Sequence, residues 1–247
     1  MTRERQIGFS QRIQFDWLEY TANLVLAGNS RDEVVAALGE QLRETLSVGN
    51  DPVRGTRDKA ITILTKVWVT VPQELRMLRD EGLELLQHSD TNHRMVVHWC
   101  MCMAVYPFFG TVAGAAGRLL RLQGSVGAAQ VQRRLREQFG ERETVARAAR
   151  RILRVFIDWS VLLETGKKGV YRGAEKHEVG GSTLSVWAIR AVLAAKGGKP
   201  RPVPTLLHGP HLFPFDIGLP PTMELEACDA IEITRHGLNH EVLASLA

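Results

Sequence analysis

Cysteine is scarce in this chain, with Cys100, Cys102 and Cys228 the only three in 247 residues. Three cannot build a disulfide framework, and the closeness of Cys100 and Cys102 suits a reduced, buried helix better than a staple. The expectation is a protein of the reducing cytosol. The opening residues MTRERQIGFS hold no apolar stretch of the kind an export signal needs. A clean bilayer-spanning run is also lacking. From Val96 to Gly117 the ionisable side chains are His98, Cys100, Cys102 and Tyr106 alone, but Pro107 interrupts the run and Gly110, Gly114 and Gly117 dilute it. A buried core helix is therefore expected and no membrane association. Hydrophobic content of 45 % and charged content of 23 % are ordinary, which excludes a disordered chain, a collagen-like repeat and a multi-span membrane protein. No internal repeat is visible.

Catalytic signatures are absent as well. There is no nucleophile–base constellation, no carboxylate pair at catalytic spacing and no nucleotide fingerprint. GTVAGAAGR at 110–118 is neither GxGxxG nor GxxxxGK followed by Ser or Thr, and close helix packing explains its glycines better. His208, His211, His236 and His240, with Cys228, include HxxH and HxxxH spacings that could each present two metal ligands. They fall in expected loops without a Cys-rich or HExxH pattern, so they read as surface or hydrogen-bonded histidines. Phe213-Pro214-Phe215 reads as a buried loop anchor. The chain is expected to be no enzyme and to hold neither metal nor cofactor.

What is present is helix after helix. Ile13, Trp17, Tyr20 and Leu24 fall at helical steps that Gly28 closes, and Ser30-Arg31-Asp32-Glu33 has the form of a capping box opening a helix with Val34, Ala37, Leu38 and Leu42 inside. Asp51-Pro52 starts a segment in which Ile61, Leu64 and Trp68 share a face; Pro72 is then expected to open a helix burying Leu75, Leu78, Leu83 and Leu86. A turn at Ser89-Asp90-Thr91-Asn92 leads to the apolar helix around Trp99. These patterns predict a helical bundle over residues 1–106. Over 107–176 the spacing predicts helices at 108–122, 131–139 and 144–164. A hairpin around Gly166-Lys167-Lys168-Gly169 follows, together a winged-helix-like basic module. Residues 177–247 read as a small mixed α/β part: a helix from Thr183 to about Ala195, a linker at GGKPRPVP, an irregular proline-rich stretch at 208–221, then a strand, a turn at Gly237 and a short helix or strand. The fold class expected is mainly α.

Charge is distributed unevenly along the chain. Residues 118–176 carry fourteen Lys and Arg against six Asp and Glu, whereas each flank is slightly acidic. Within ETVARAARRILRVFIDW, Ala149, Ile152, Phe156, Trp159 and Leu163 lie within about 40° of one meridian at 100° per residue from Val145. Arg147, Arg150, Arg151 and Arg154 lie opposite, between about 140° and 240°. Such a helix fits a DNA major groove, where arginine reaches phosphates or guanine edges. Lys167, Lys168 and Arg172 on the hairpin and Arg133, Arg134 and Arg136 on the preceding helix would add phosphate contacts. Two other readings remain open: a face that docks an acidic protein, toward which Val161 on the polar side counts, or a plainly solvated face.

The segment order (Trp17; RGTRDKAITILTKVWVTVPQELRML; HRMVVHWCMCMAVYPFF; RLLRLQG with QVQRRLREQFG; ETVARAARRILRVFIDWSVLLE) resembles the BrxA family of BREX bacteriophage-exclusion systems over residues 10–175. Members are similar to a NusB-like helical domain joined to a winged-helix element. The resemblance implies a non-enzymatic component of bacterial anti-phage defence that binds double-stranded DNA. It would work alongside larger proteins of that system, including a methyltransferase, an ATPase and a phosphatase-like protein. Arg147, Arg150, Arg151, Arg154, Lys167 and Lys168 are the positions it carries over, and the tail from residue 177 is longer than the family leads one to expect. A scaffold subunit with a basic docking face, or an RNA-binding protein suggested by the NusB-like bundle, are the alternatives.

Overall fold

A helix that is apolar on every side is satisfied only inside a shell of other elements, and Val96 to Val105 lie there: all ten are buried. The computed structural model describes residues 7–46, 55–236 and 241–247; Asp51-Pro52, the turn at Gly237 and His240 lie outside the described residues. The first two helices are α1 (Phe15–Leu26) and α2 (Arg31–Gln41). The capping box at the start of α2 is present. Glu33 N–H donates to Ser30 Oγ at 3.4 Å and Ser30 N–H donates to Glu33 Oε2 at 2.7 Å. α3 (Thr56–Trp68) buries Ile61, Leu64 and Trp68. Pro72 is the residue before a 3-10 turn at Gln73–Leu75, and not the first residue of the helix that follows, α4 (Arg76–His88). α5 (Thr91–Val105) is capped by Asp90, whose side chain accepts from His93 N–H. α6 (Pro107–Gln123) begins with proline in its first turn, where no intrahelical N–H is required. Among the described residues no single helix is long and apolar enough to cross a membrane; α5 and α6 would pass that test together, but they meet at 117°.

After α6 the chain makes β1 (Ser125–Gly127), α7 (Ala128–Phe139), α8 (Glu143–Asp158), β2 (Leu162–Glu164) and β3 (Val170–Gly173), and the three strands form an antiparallel sheet in the order β1-β3-β2. The hairpin expected around Gly166-Lys167-Lys168-Gly169 is β2–β3. The helix expected to reach residue 164 stops at 158. Ser160 takes the left-handed conformation at φ 57°. Ser160 N–H then bonds Ile157 O at 2.9 Å and Val161 N–H bonds Phe156 O at 3.0 Å. This paired closure is a Schellman stop with Val161 and Phe156 both buried. Leu163 therefore sits on a strand and not on the helix meridian.

The C-terminal part is more ordered than its composition suggests. β4 (His177–Val179) and α9 (Ser182–Ala195) are followed by β5 (Arg201–Pro202) and α10 (Val203–Leu207), a 3-10 turn at Pro210–Leu212, β6 (Phe215–Ile217), α11 (Thr222–Glu226), β7 (Ile231–His236) and β8 (Glu241–Leu246). β4 and β6 pair in parallel, and β5-β8-β7 form a second antiparallel sheet. GGKPRPVP is thus no linker. Its two glycines turn the chain at φ 76° and 72°, and Pro202 sits on an edge strand, where a missing N–H costs no ladder bond. The stretch 208–221 is likewise packed, with His211 to Phe215 buried.

Two clusters fasten these parts. The Trp99 ring lies 4.8 Å from Phe156 in a stacked arrangement, 5.0 Å from Phe109, 6.0 Å from Trp159 and 5.6 Å from both Phe213 and Phe215. Its Nε1 donates to His211 O at 3.0 Å. The second cluster is polar. Trp68 Nε1 donates to His98 Nδ1 at 3.1 Å, so the proton of this fully buried imidazole is on Nε2, which donates to Glu19 Oε1 at 2.9 Å. Burial keeps His98 neutral. Burial alone would raise the Glu19 pKa, but hydrogen bonds from His98 and Arg94 prevail and hold it at about 2. Since His98 is neutral, Arg94 alone balances the Glu19 charge. The whole is a mainly α fold with a small mixed α/β part at its C-terminal end.

Candidate nucleic-acid interface

α8 owes its two faces to its sequence. Val145, Ala149, Ile152 and Phe156 point into the core, while Arg147, Arg150, Arg151 and Arg154 are exposed. The four arginines are not equivalent. Arg150 pairs with Glu143 and Arg154 with Glu164, each at 2.9 Å between exposed side chains. Exposed pairs of this kind are worth about 0–1 kcal/mol and exchange readily for another anion. Arg147 and Arg151, one turn apart, make no ion pair among the described residues and open onto a groove of about 1110 Å³.

The groove's second wall is α3. Lys59 and Lys66, seven residues apart and so on one face of that helix, line it together with Arg142 at the start of α8. Five cations therefore converge on a concavity lined, among the described residues, by no carboxylate. Its floor comes from the segment before α1, which is held against α8 because Trp159 Nε1 donates to Ile13 O at 3.0 Å and Arg12 pairs with Asp158. Gln11 is buried there, and its Oε1 has no hydrogen-bond partner. The first-turn amides of α8, which lack a side-chain cap, add positive potential at the same end. Among the described residues, none of those lining the groove belongs to 177–247.

The remaining predicted contacts lie elsewhere. Lys167 and Lys168 are exposed at the hairpin tip, which is held by Thr165 Oγ1 donating to Val170 O at 2.7 Å and by Gly169 at φ 75°. Arg172 is exposed on β3. On α7, Arg133 and Arg136 are exposed and Arg134 is half-buried; Arg133 stands 3.9 Å from Glu137. None of these six lines the groove. Val161, read as an apolar break in the polar face, is buried in the helix stop and presents nothing to a partner.

Two of the histidines read as possible ligands, His208 and His211, are held by the chain itself. His208 Nε2 and His211 Nε2 each face a carbonyl, Ile217 O at 3.2 Å and Leu206 O at 3.1 Å. No group of three or more His, Cys, Asp or Glu able to hold a metal comes together among the described residues. Cys100 and Cys102 are free and buried, and burial raises both thiol pKa values. Sequence reasoning missed Lys59, Lys66 and Arg142. The seven-residue spacing of the two lysines was the available signal, but they belong to a stretch whose charges nearly cancel. No protein-family model, curated protein or solved structure matches the chain.

Proposed function

We propose that this chain is a double-stranded DNA-binding protein without catalytic activity, and that its affinity comes from phosphate contacts made by the α3–α8 groove. The observation that carries this reading is the convergence of Lys59, Lys66, Arg142, Arg147 and Arg151 on one groove with no acidic lining among the described residues. A row of exposed guanidinium and ammonium groups along a groove matches the phosphate ridge of a duplex, and counterion release supplies the binding free energy. The helix–strand–helix–helix–strand–strand order from α6 to β3, with the sheet ordered β1-β3-β2, supports a winged-helix reading of this part. In that reading α8 is the recognition helix, and Lys167 and Lys168 lie on the wing beside the backbone. Arg150 and Arg154 would exchange their glutamates for phosphates on binding. Placement in an anti-phage defence assembly, working with its other proteins in the bacterial cytoplasm, rests on the resemblance to the BrxA family.

Fluorescence anisotropy with a labelled 30-base-pair random duplex tests the proposal. The protein should bind with an affinity that falls steeply as salt rises. The Arg147→Glu/Arg151→Glu variant should lose roughly tenfold or more at low salt, and an Arg147→Gln/Arg151→Gln variant should flatten the salt slope by about two. A folded variant that binds as well as the parent would overturn the groove assignment. Preference for single-stranded RNA over the duplex, or binding only to an acidic protein, would overturn the choice of DNA.

A further inference from the structure

A second set of cations lies apart from the groove. α6, the end of α9 and the α10 region enclose a pocket of about 580 Å³, lined by Arg118, Arg121, Lys196 and Arg201 and, among the described residues, by no Asp or Glu. Arg118, Lys196 and Arg201 form no ion pair among the described residues. Arg121 donates to the backbone oxygen of His208. The Nε of Arg201 is buried and has no hydrogen-bond partner. His211, also in the wall, brings no compensating negative charge. Burial and then the neighbouring Lys196 lower its pKa to about 3, so it is neutral, with its Nε2 proton given to Leu206 O.

We propose that this pocket binds a small molecule bearing two or more linked phosphoryl groups. Four cationic heads around one recess repel each other, and those of Lys196 and Arg201 are half-buried, a costly arrangement that a multivalent anion relieves. Lys196 records the strain: burial, then Arg201 and Arg118, lower its pKa to about 8. The volume lies in the range of small-ligand sites. The hydroxyls of Thr111 and Thr205 also line it, their protons given to Pro107 O and Pro202 O. Met103, Val192 and Pro204 supply an apolar wall for an organic portion. The recess exists because α6 presents glycine there: Gly110 and Gly114 line it, and no side chain fills the space. A polymer phosphate ridge suits the long α3–α8 groove; the recessed heads of Lys196 and Arg201 suit a ligand that enters.

Isothermal titration of the full chain with inorganic tripolyphosphate tests the assignment, with ATP and orthophosphate as parallel probes. Tripolyphosphate should bind, and Arg118→Gln and Lys196→Gln should each weaken it tenfold or more, while Arg147→Glu/Arg151→Glu leaves it unchanged. Tighter binding of ATP than of tripolyphosphate assigns a role to the apolar wall; equal binding assigns the site to the phosphate chain alone. Arg118 is exposed, so its variant keeps the test valid if Lys196→Gln fails to fold. In the parent, affinity should also fall as pH rises from 7 to 9. Lys196 is faced by Arg118, Arg121 and Arg201 from α6 and the α10 region and by neutral His211, so it must take up a proton to bind the anion above its own pKa. No tripolyphosphate binding, binding untouched by Arg118→Gln, loss through the groove variant, or orthophosphate binding as tightly as tripolyphosphate would overturn the proposal. Duplex binding by Arg118→Gln, measured alongside, keeps this outcome separate from that of the groove.

Discussion

In the bundle around α5 three buried or half-buried charges are answered across the fold: Glu19 meets Arg94, Arg190 meets Glu81, and Asp158 meets Arg12. In the groove between α3 and α8, five cations have no carboxylate partner among the described residues. The carboxylates of the first region tie distant stretches of chain together, since Glu19 and Arg94 are on α1 and α5, and Arg190 and Glu81 on α9 and α4. Of the cations of the second, Arg142 alone makes a hydrogen bond among the described residues, to Phe139 O at the end of α7. Charge that bridges elements is structural, whereas charge left unanswered in a concave place is held for a ligand.

Removing the bundle's carboxylate should give the largest effect. Glu19→Gln keeps an acceptor for His98 but leaves Arg94 half-buried and unbalanced, and should cost about 2–3 kcal/mol at pH 7 in urea unfolding. The sign of the pH dependence follows from the direction of the shift. A carboxylate held at about 2, below its ordinary 4.5, contributes stability that is full above 4.5 and is lost as pH falls through 2. Parent and variant should therefore converge in stability on acidification from pH 5 to pH 2; a constant gap would show that Glu19 acts by packing alone.

Next in size is a change at the junction of α6 with the C-terminal part. A Cβ on Gly117 would stand 1.9 Å from Pro210 O, so Gly117→Ala must push the two apart and should cost about 1–3 kcal/mol. The same shift should weaken tripolyphosphate binding, because Pro210 borders the phosphate pocket. Smallest of all, Arg147→Gln/Arg151→Gln should change the free energy of unfolding by less than about 0.5 kcal/mol, since neither side chain bridges to another element. A large loss there would erase the contrast between the two regions.

Much of this could be read from spacing. The two faces of α8, the capping box of α2 and the Gly-Lys-Lys-Gly hairpin are local patterns, and each formed where its residues required. What stayed hidden depends on partners far along the chain. β1 is three residues long and exists because β3 pairs with it. β6 is a strand because β4, nearly forty residues earlier, lies parallel to it. The end of α8 gave no glycine signal, since Ser160 adopts the left-handed turn. Lys59 and Lys66 were lost in a stretch of mixed charge, and Lys196 and Arg201 in an acidic one. Only folding sets each pair beside arginines from the basic segment.

Trp99 has a consequence for how this protein can be inherited or engineered. Its indole is walled by rings from α6, α8 and the 213–215 segment, and its N–H is accepted by a carbonyl from that last stretch. A version ending near residue 176 would present a large apolar face and an orphaned donor to water. The basic module and the tail are therefore not exchangeable cassettes: a recombination event that traded one for a foreign counterpart would have to carry a matching seat for the indole. Parts of this chain can diverge in sequence, but they have to travel together.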